Sequence, residues 1–157
     1  MAKAAKAVPE GPTVRPALVC KGAAKAIDFY KNVFGAKELS RLEGPGGGIG
    51  HAELLIGNSK LFLSDEFSNQ ATAPVGCKGH ALYIYVEDCD SVFNRATAAG
   101  AKAVMTPMDQ FWGDRHGVFD DPFGHRWNVA THVEDVAPEE MKRRAQEWMA
   151  KAAGQNR

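Results

Sequence analysis

Part of this chain recurs 65 residues further on. Gly35-Ala36-Lys37 returns as Gly100-Ala101-Lys102, and the same shift carries Ile27 onto Val92, His51 onto His116, Phe62 onto Trp127 and Arg15 onto His80. A shared tripeptide alone means little in an alanine-rich chain. The weight lies in the order of elements that one shift preserves, because a sequence repeat is one supersecondary unit folded more than once. The 157 residues suffice for one domain, or for two small modules that share a core.

In the first copy, residues 14–20 read as a strand. Residues 23–34 follow, with Ile27, Phe29, Tyr30, Val33 and Phe34 on one helical stripe. Gly35 stands where a helix C-cap belongs. Strands over 37–42, 49–56 and 60–64 come next, the last two joined by Gly57-Asn58. The second copy offers a strand over 81–86 and a helix over 90–99, with Asp88 or Asp90 as N-cap and Gly100 as C-cap. A strand over 102–106, a loop over 107–114 and a hairpin over 114–132 complete it. The hairpin turns at Asp121-Pro122-Phe123-Gly124, where proline presets φ and glycine accepts the left-handed conformation. Each copy is β-α-β-β-β. The expected organisation is a tail over 1–12, a first module over 13–66, a linker over 67–79, a second module over 80–133 and a C-terminal helix over 134–157. In that helix Met141, Ala145, Trp148 and Met149 form an apolar stripe that suits the body of the protein or a partner subunit.

Lys plus Arg and Asp plus Glu both number 19, a balance that argues against a nucleic-acid or anionic-membrane binder. Cys20, Cys77 and Cys89 fit no metal or redox spacing, and so sparse a set suits a reducing cytoplasm. No apolar run approaches the roughly 18 residues of a membrane span. The N-terminus lacks the apolar stretch of a signal peptide. The glycine-rich run 44–48 lacks the Lys-Ser/Thr pair and helix start of a phosphate loop.

Two groups of residues carry a family likeness. Ala23-Ala24-Lys25-Ala26-Ile27-Asp28-Phe29-Tyr30 with Val33-Phe34-Gly35-Ala36 is similar to the first helix of the vicinal oxygen chelate superfamily, which holds glyoxalase I, extradiol dioxygenases and the bleomycin and fosfomycin resistance proteins. Asp121-Pro122-Phe123-Gly124-His125 resembles that superfamily's DPxG hairpin, and FWGDRHGVFDDPFGHRWNVATH resembles the PhnB-like branch. The resemblance covers about residues 13–135. It implies an α+β fold in which two βαβββ modules in tandem form a cupped mixed sheet, followed here by a C-terminal helix. It also implies a homodimer.

In metal-dependent members of the superfamily, His or Glu ligands come from the first and last strand of each module. Carried onto this chain, those positions fall on Arg15, on Leu63 or Phe62, on His80 or Ala81, and on Asn128, where metal-dependent members place Glu. Arginine keeps its proton and has no lone pair to offer, leucine contributes nothing, and asparagine is a neutral, weak ligand. No metal and no other cofactor is therefore expected. Arg15, His80 and Asn128 instead suit an anionic or carbonyl-bearing ligand, unless Arg15 points to water. Trp112 and Arg115, ahead of the last hairpin, either flank the mouth of the cup or anchor their loop, with Asp114 and Arg115 paired locally. Tyr83, Tyr85 and Trp127 either line a cavity or belong to the core. His51, Glu53 and His116 suit a metal or acid/base site, though a solvated sheet face is the better reading. The expected activity is binding of a small aromatic or anionic molecule, with a metal-dependent lyase, isomerase or dioxygenase as the alternative.

Overall fold

A computed structural model of the protein describes Pro9 and residues 11–67, 72–76 and 79–155. Most of the expected tail and part of the expected linker, with Cys77, lie outside the described residues. The chain divides into two compact units, the first ending at Val75 and the second beginning at Gly76.

The first unit runs β1 (Ala17–Cys20), α1 (Ala23–Phe34), β2 (Lys37–Glu43), β3 (Ile49–Ile56) and β4 (Ser59–Asp65). Its sheet has the order β1-β4-β3-β2, with β1 parallel to β4 and the other pairs antiparallel. α1 buries Ala23, Ala26, Ile27, Tyr30 and Val33, and the sheet buries Leu18, Cys20, Ala52, Leu54, Leu61 and Leu63. Along β1 and β4, and from Ala52 to Leu54 of β3, every second residue thus turns inward, as the period of a strand requires. Gly22, ahead of α1, has a left-handed φ of 86° and offers no side chain as a cap. Parallel pairing sets Asp65 opposite Cys20, so the end of β4 lies where α1 starts. One oxygen of Asp65 accepts from Gly22 N and Ala23 N at 3.1 and 2.8 Å, and the other from Ile49 N at 2.8 Å. A helix terminus short of local partners is capped across the sheet.

The second unit comprises β5 (Leu82–Tyr85), α2 (Cys89–Ala98), β6 (Lys102–Asp109), β7 (Asp114–Asp120), β8 (Arg126–His132) and α3 (Pro138–Gln155). Its sheet order β5-β8-β7-β6 reproduces the first, again with one parallel pair, β5–β8. α2 buries Cys89, Val92, Phe93 and Ala96, and Phe93 meets the buried Phe119 edge-on at 6.2 Å. Asp88 is the N-cap, accepting from Ser91 N. Buried Asp121 organises the hairpin turn, because its carboxylate accepts from Phe123 N, His125 N and Trp127 Nε1, each at 2.9 Å. The expected loop over 107–114 is shorter than the sequence suggests. β6 continues through Pro107 to Asp109, with a register irregularity between Met105 and Met108. A proline is tolerated there because β6 is an edge strand. On α3, Trp148 lies 5.9 Å from Phe111, and Trp148 and Met149 stay half-exposed.

The two units are related by more than one shift. The open-face pair Ala17–Phe62 of β1–β4 corresponds to Tyr83–Asn128 of β5–β8, 66 positions on. Ala23 and Cys89 stand at the same separation, and both give their N–H to the last strand, to Asp65 and Thr131 respectively. His51 and His116 remain 65 apart, both facing away from the helix. The second unit has a helix shorter by two residues, 10 against 12, and a longer turn in its last hairpin. A single shift of 65 therefore sets β1 and β4 one residue out of register against β5 and β8. Phe62 corresponds to Asn128, not to Trp127, and continuing the same register Arg15 corresponds to Ala81, not to His80.

Replacing Asp65 by Ala removes the acceptor for three backbone N–H groups, and Thr131→Val removes one. We expect losses of about 2 and about 1 kcal/mol, read as lower denaturant midpoints with unchanged slope.

Candidate functional site

The open face of the second sheet follows from its register. Tyr83 pairs with Asn128, which pairs with Val118, while Tyr85 pairs with Ala130, which pairs with His116. Asp114 pairs with His132. These residues share the face away from α2, since directly paired residues point the same way.

Asp114 is the centre of this face and is only 2% exposed. Its Oδ2 accepts from the hydroxyls of Tyr83 and Tyr85 at 3.0 and 2.9 Å and from Trp112 Nε1 at 3.1 Å. Its Oδ1 accepts from His132 Nδ1 at 2.9 Å, and His132 Nε2 lies 2.7 Å from Asp135 Oδ1. Both ring nitrogens of His132 thus face carboxylates, an arrangement that requires the doubly protonated imidazolium if both are to donate. Burial pulls the Asp114 carboxyl upward, but the hydrogen bonds from His132, Tyr85, Tyr83 and Trp112 outweigh it and hold the group below the ordinary carboxylate range. Burial, reinforced by the Asp114 charge, pushes the Tyr83 phenol up to about 12. The hydrogen bond to Asp114 likewise raises Tyr85. Hydrogen bonds to Asp135 and Asp114 raise His132.

Around this carboxylate the rings are ordered. Tyr83 stacks on His116 at 5.3 Å with 12° between planes, and lies 5.3 Å from Tyr85. Trp112 sits 5.8 Å from His116. His116 is buried, with Nε2 2.9 Å from Asn128 Oδ1 and Nδ1 unpartnered. Tyr83 and Tyr85 remain 46% and 62% exposed. The assembly is a group of rings whose polar ends are tied to one buried negative charge.

Of the second unit's residues expected in the site, Asn128 and Trp112 lie on this face. Arg115, one residue from Asp114, points to the opposite face, where it holds Asp90 at 2.5 and 2.9 Å and Asp109 at 3.2 Å. It does not pair with Asp114. His80 is exposed, and its ring lies 6.0 Å from that of buried His125. Arg15 belongs to the first unit, where its Nε donates to Pro12 O at 3.0 Å and its guanidinium lies 5.8 Å from the Phe62 ring centre. On that unit's open face His51 stands edge-on to Phe62 at 4.9 Å and 3.8 Å from Glu53, which Lys60 also approaches. Trp127 is core. Asp114 and His132 carry the second unit's network and were not singled out by their residue types. Counting outward from the Asp121–His125 turn, which pairs Asp120 with Arg126, would have set them opposite each other.

Comparison with known proteins agrees with this architecture. The Glyoxalase/Bleomycin resistance protein/Dioxygenase superfamily model matches residues 13–129. The uncharacterized protein Rv0887c of Mycobacterium tuberculosis (strain H37Rv) is 40% identical over 137 residues, covering 83% of this chain and 81% of that protein. Among solved structures, TioX from Micromonospora sp. ML1 is 29% identical with a TM-score of 0.61, covering 76% of this chain and 98% of that one. The PhnB protein from Bacillus cereus superposes with a TM-score of 0.64 at 19% identity, covering 76% and 99%, a likeness of fold alone. The fold is the α+β glyoxalase/bleomycin resistance fold with a C-terminal helix, and the chain belongs to the Glyoxalase/Bleomycin resistance protein/Dioxygenase superfamily.

The positions at which the family resemblance expects metal ligands lie on the first and last strand of each unit. With register assigned from the structure, the first-strand positions hold Arg15 and Ala81 and the last-strand positions Phe62 and Asn128. Among the described residues no three His, Cys, Asp or Glu side chains gather as a metal site.

Two titrations test the network. His132 carries a raised native pKa, so its stabilisation is complete below the unfolded histidine value of about 6.5 and is lost as pH rises through the native one. The stability advantage of the wild type over His132→Gln should be largest near about pH 6 and shrink toward alkaline pH, measured by denaturant unfolding. In ultraviolet difference titration, Tyr83→Phe should remove a tyrosine ionisation near 12.

Proposed function

We propose that this protein binds a small aromatic molecule on the open face of the second sheet, without a metal, and that it sequesters rather than transforms it. The observation that carries this reading is the pair of exposed tyrosine rings whose hydroxyls are tied to buried Asp114. Exposed aromatic area held in one orientation loses little freedom when a flat ligand settles on it. Asn128, beside the rings, supplies an amide to orient polar groups. The anionic side of the expectation has less support, because the guanidiniums that would serve it have other partners: Arg115 in Asp90 and Asp109, Arg15 in Pro12 and Phe62. The rival metal-dependent enzyme would need donors that the ligand positions lack.

The finer assignment is a PhnB-like, homodimeric, cytoplasmic member of the superfamily. The branch rests on the FWGDRHGVFDDPFGHRWNVATH segment. The dimer draws on the half-exposed Trp148 and Met149 of α3. No helix among the described residues is long and apolar enough to cross a membrane.

A thermal-shift panel distinguishes these readings, since a ligand of the native state raises its melting temperature. Flat heteroaromatic compounds should raise the midpoint by several degrees in wild type and by less in Trp112→Leu or Tyr85→Leu. Added Zn, Ni or Mn should leave it unchanged. Untagged protein purified with one bound metal per chain, lost on His116→Ala, would favour the enzyme instead.

A further inference from the structure

We propose that the ligand of this face is a flat organic cation bearing N–H donors. The proposal rests on the reading of the face as the binding site and adds the chemical class of what binds. The hydroxyl protons of Tyr83 and Tyr85 and the indole N–H of Trp112 are all directed at Asp114 Oδ2. The donors of the three rings are thereby used, which leaves hydroxyl lone pairs and the exposed ring area of Tyr83 and Tyr85 to meet a ligand. The face of an aromatic ring is the negative end of its quadrupole and attracts cations, more strongly where water is excluded. At the hydroxyl ends of these rings lies the carboxylate of Asp114, almost wholly buried, so its charge is little screened by solvent. His116 stacks against the inner side of Tyr83 and has an unpartnered Nδ1. If its Nε2 donates to Asn128 Oδ1, that nitrogen is one more lone pair and not a donor.

The neighbouring positive groups do not reverse this sign. Arg115 is turned to the other face by strand alternation and held by Asp90 and Asp109. Arg126, at the far end of the same face, makes two hydrogen bonds to Asp120, at 2.8 and 3.1 Å. Arg144, next to the Phe111 carbonyl, is bound to Glu134 and Glu140. His132 stands between two carboxylates, Asp114 and Asp135, so even when protonated it leaves one negative charge in excess. A cation laid over Tyr83 and Tyr85 meets ring faces, lone pairs and Asp114 with favourable sign. An anion meets each with the wrong one.

Three compounds of one ring system isolate charge from shape: 9-aminoacridine as the cation, acridine as the neutral ring and acridine-9-carboxylate as the anion. Affinities for the full chain are measured by calorimetry at neutral pH. We expect the cation to bind at least about tenfold more tightly than the carboxylate, with acridine between them, a span within the range of cation–π and partly screened charge effects. Asp114→Asn is unsuitable alone because the carboxylate is buried. Tyr85→Leu keeps an apolar residue at a half-exposed strand position, and it should weaken the cation about fivefold more than it weakens the carboxylate. Acridine binding with no advantage for the cation, or a carboxylate that binds as tightly, overturns the cation assignment and leaves the binding face standing. Equal loss of all three compounds in Tyr85→Leu does the same. Failure of all three to bind overturns both.

Discussion

One face of each sheet lies under a helix, and the rest of the molecule depends on which strand residues turn toward that helix. A strand alternates strictly, so a shift of one residue would send the whole apolar set to the wrong side. In the second unit Trp127, Val129 and Phe119 are turned inward and fully or almost fully buried. Asp121 pins this choice by holding the Trp127 indole and two backbone amides of the same turn. With Trp127 inward, Asn128 must face out, and through the parallel pairing so must Tyr83.

The open face then inherits a buried charge. An isolated carboxylate at 2% exposure would cost several kcal/mol in desolvation, and four side-chain donors offset that cost. Those donors come from β5, the loop before β7 and the end of β8, so one carboxylate ties the sheet edge, the loop and the last strand together. Tyr83 and Tyr85 gain a fixed orientation from it while keeping much of their ring area in solvent. The groups that hold this network together also consume their own donors.

Much of this architecture can be read from residue order. The duplication, both helices, the glycine after the first, the last hairpin and the terminal helix follow from periodicity and turn chemistry. Asn128 and Trp112, among the residues singled out from the sequence, lie on the open face of the second sheet. Arg115 and His80, of the same unit, do not join them, for one physical reason in two forms. Arg115 neighbours Asp114 in sequence but alternates to the far side, where Asp90 offers a close partner. His80 was matched to Arg15 by a single shift, whereas the shorter α2 and the longer last turn make the outer strands correspond at 66 positions. An error of one residue is small along a chain and complete across a sheet. Pro107 led to too short a strand because an edge strand accommodates what an inner one would not.

By itself, then, the sequence determined the modules, their helices and the hairpin marks, because those arise from local preferences and from patterns repeated within one element. Only the tertiary structure decided the site. Three of the four partners of Asp114 are 31, 29 and 18 residues away along the chain, and no local preference links them. The register of β5 on β8 and of β7 on β8 brought two tyrosines, an indole and an imidazole onto one carboxylate, and so set the face that the hairpin presents.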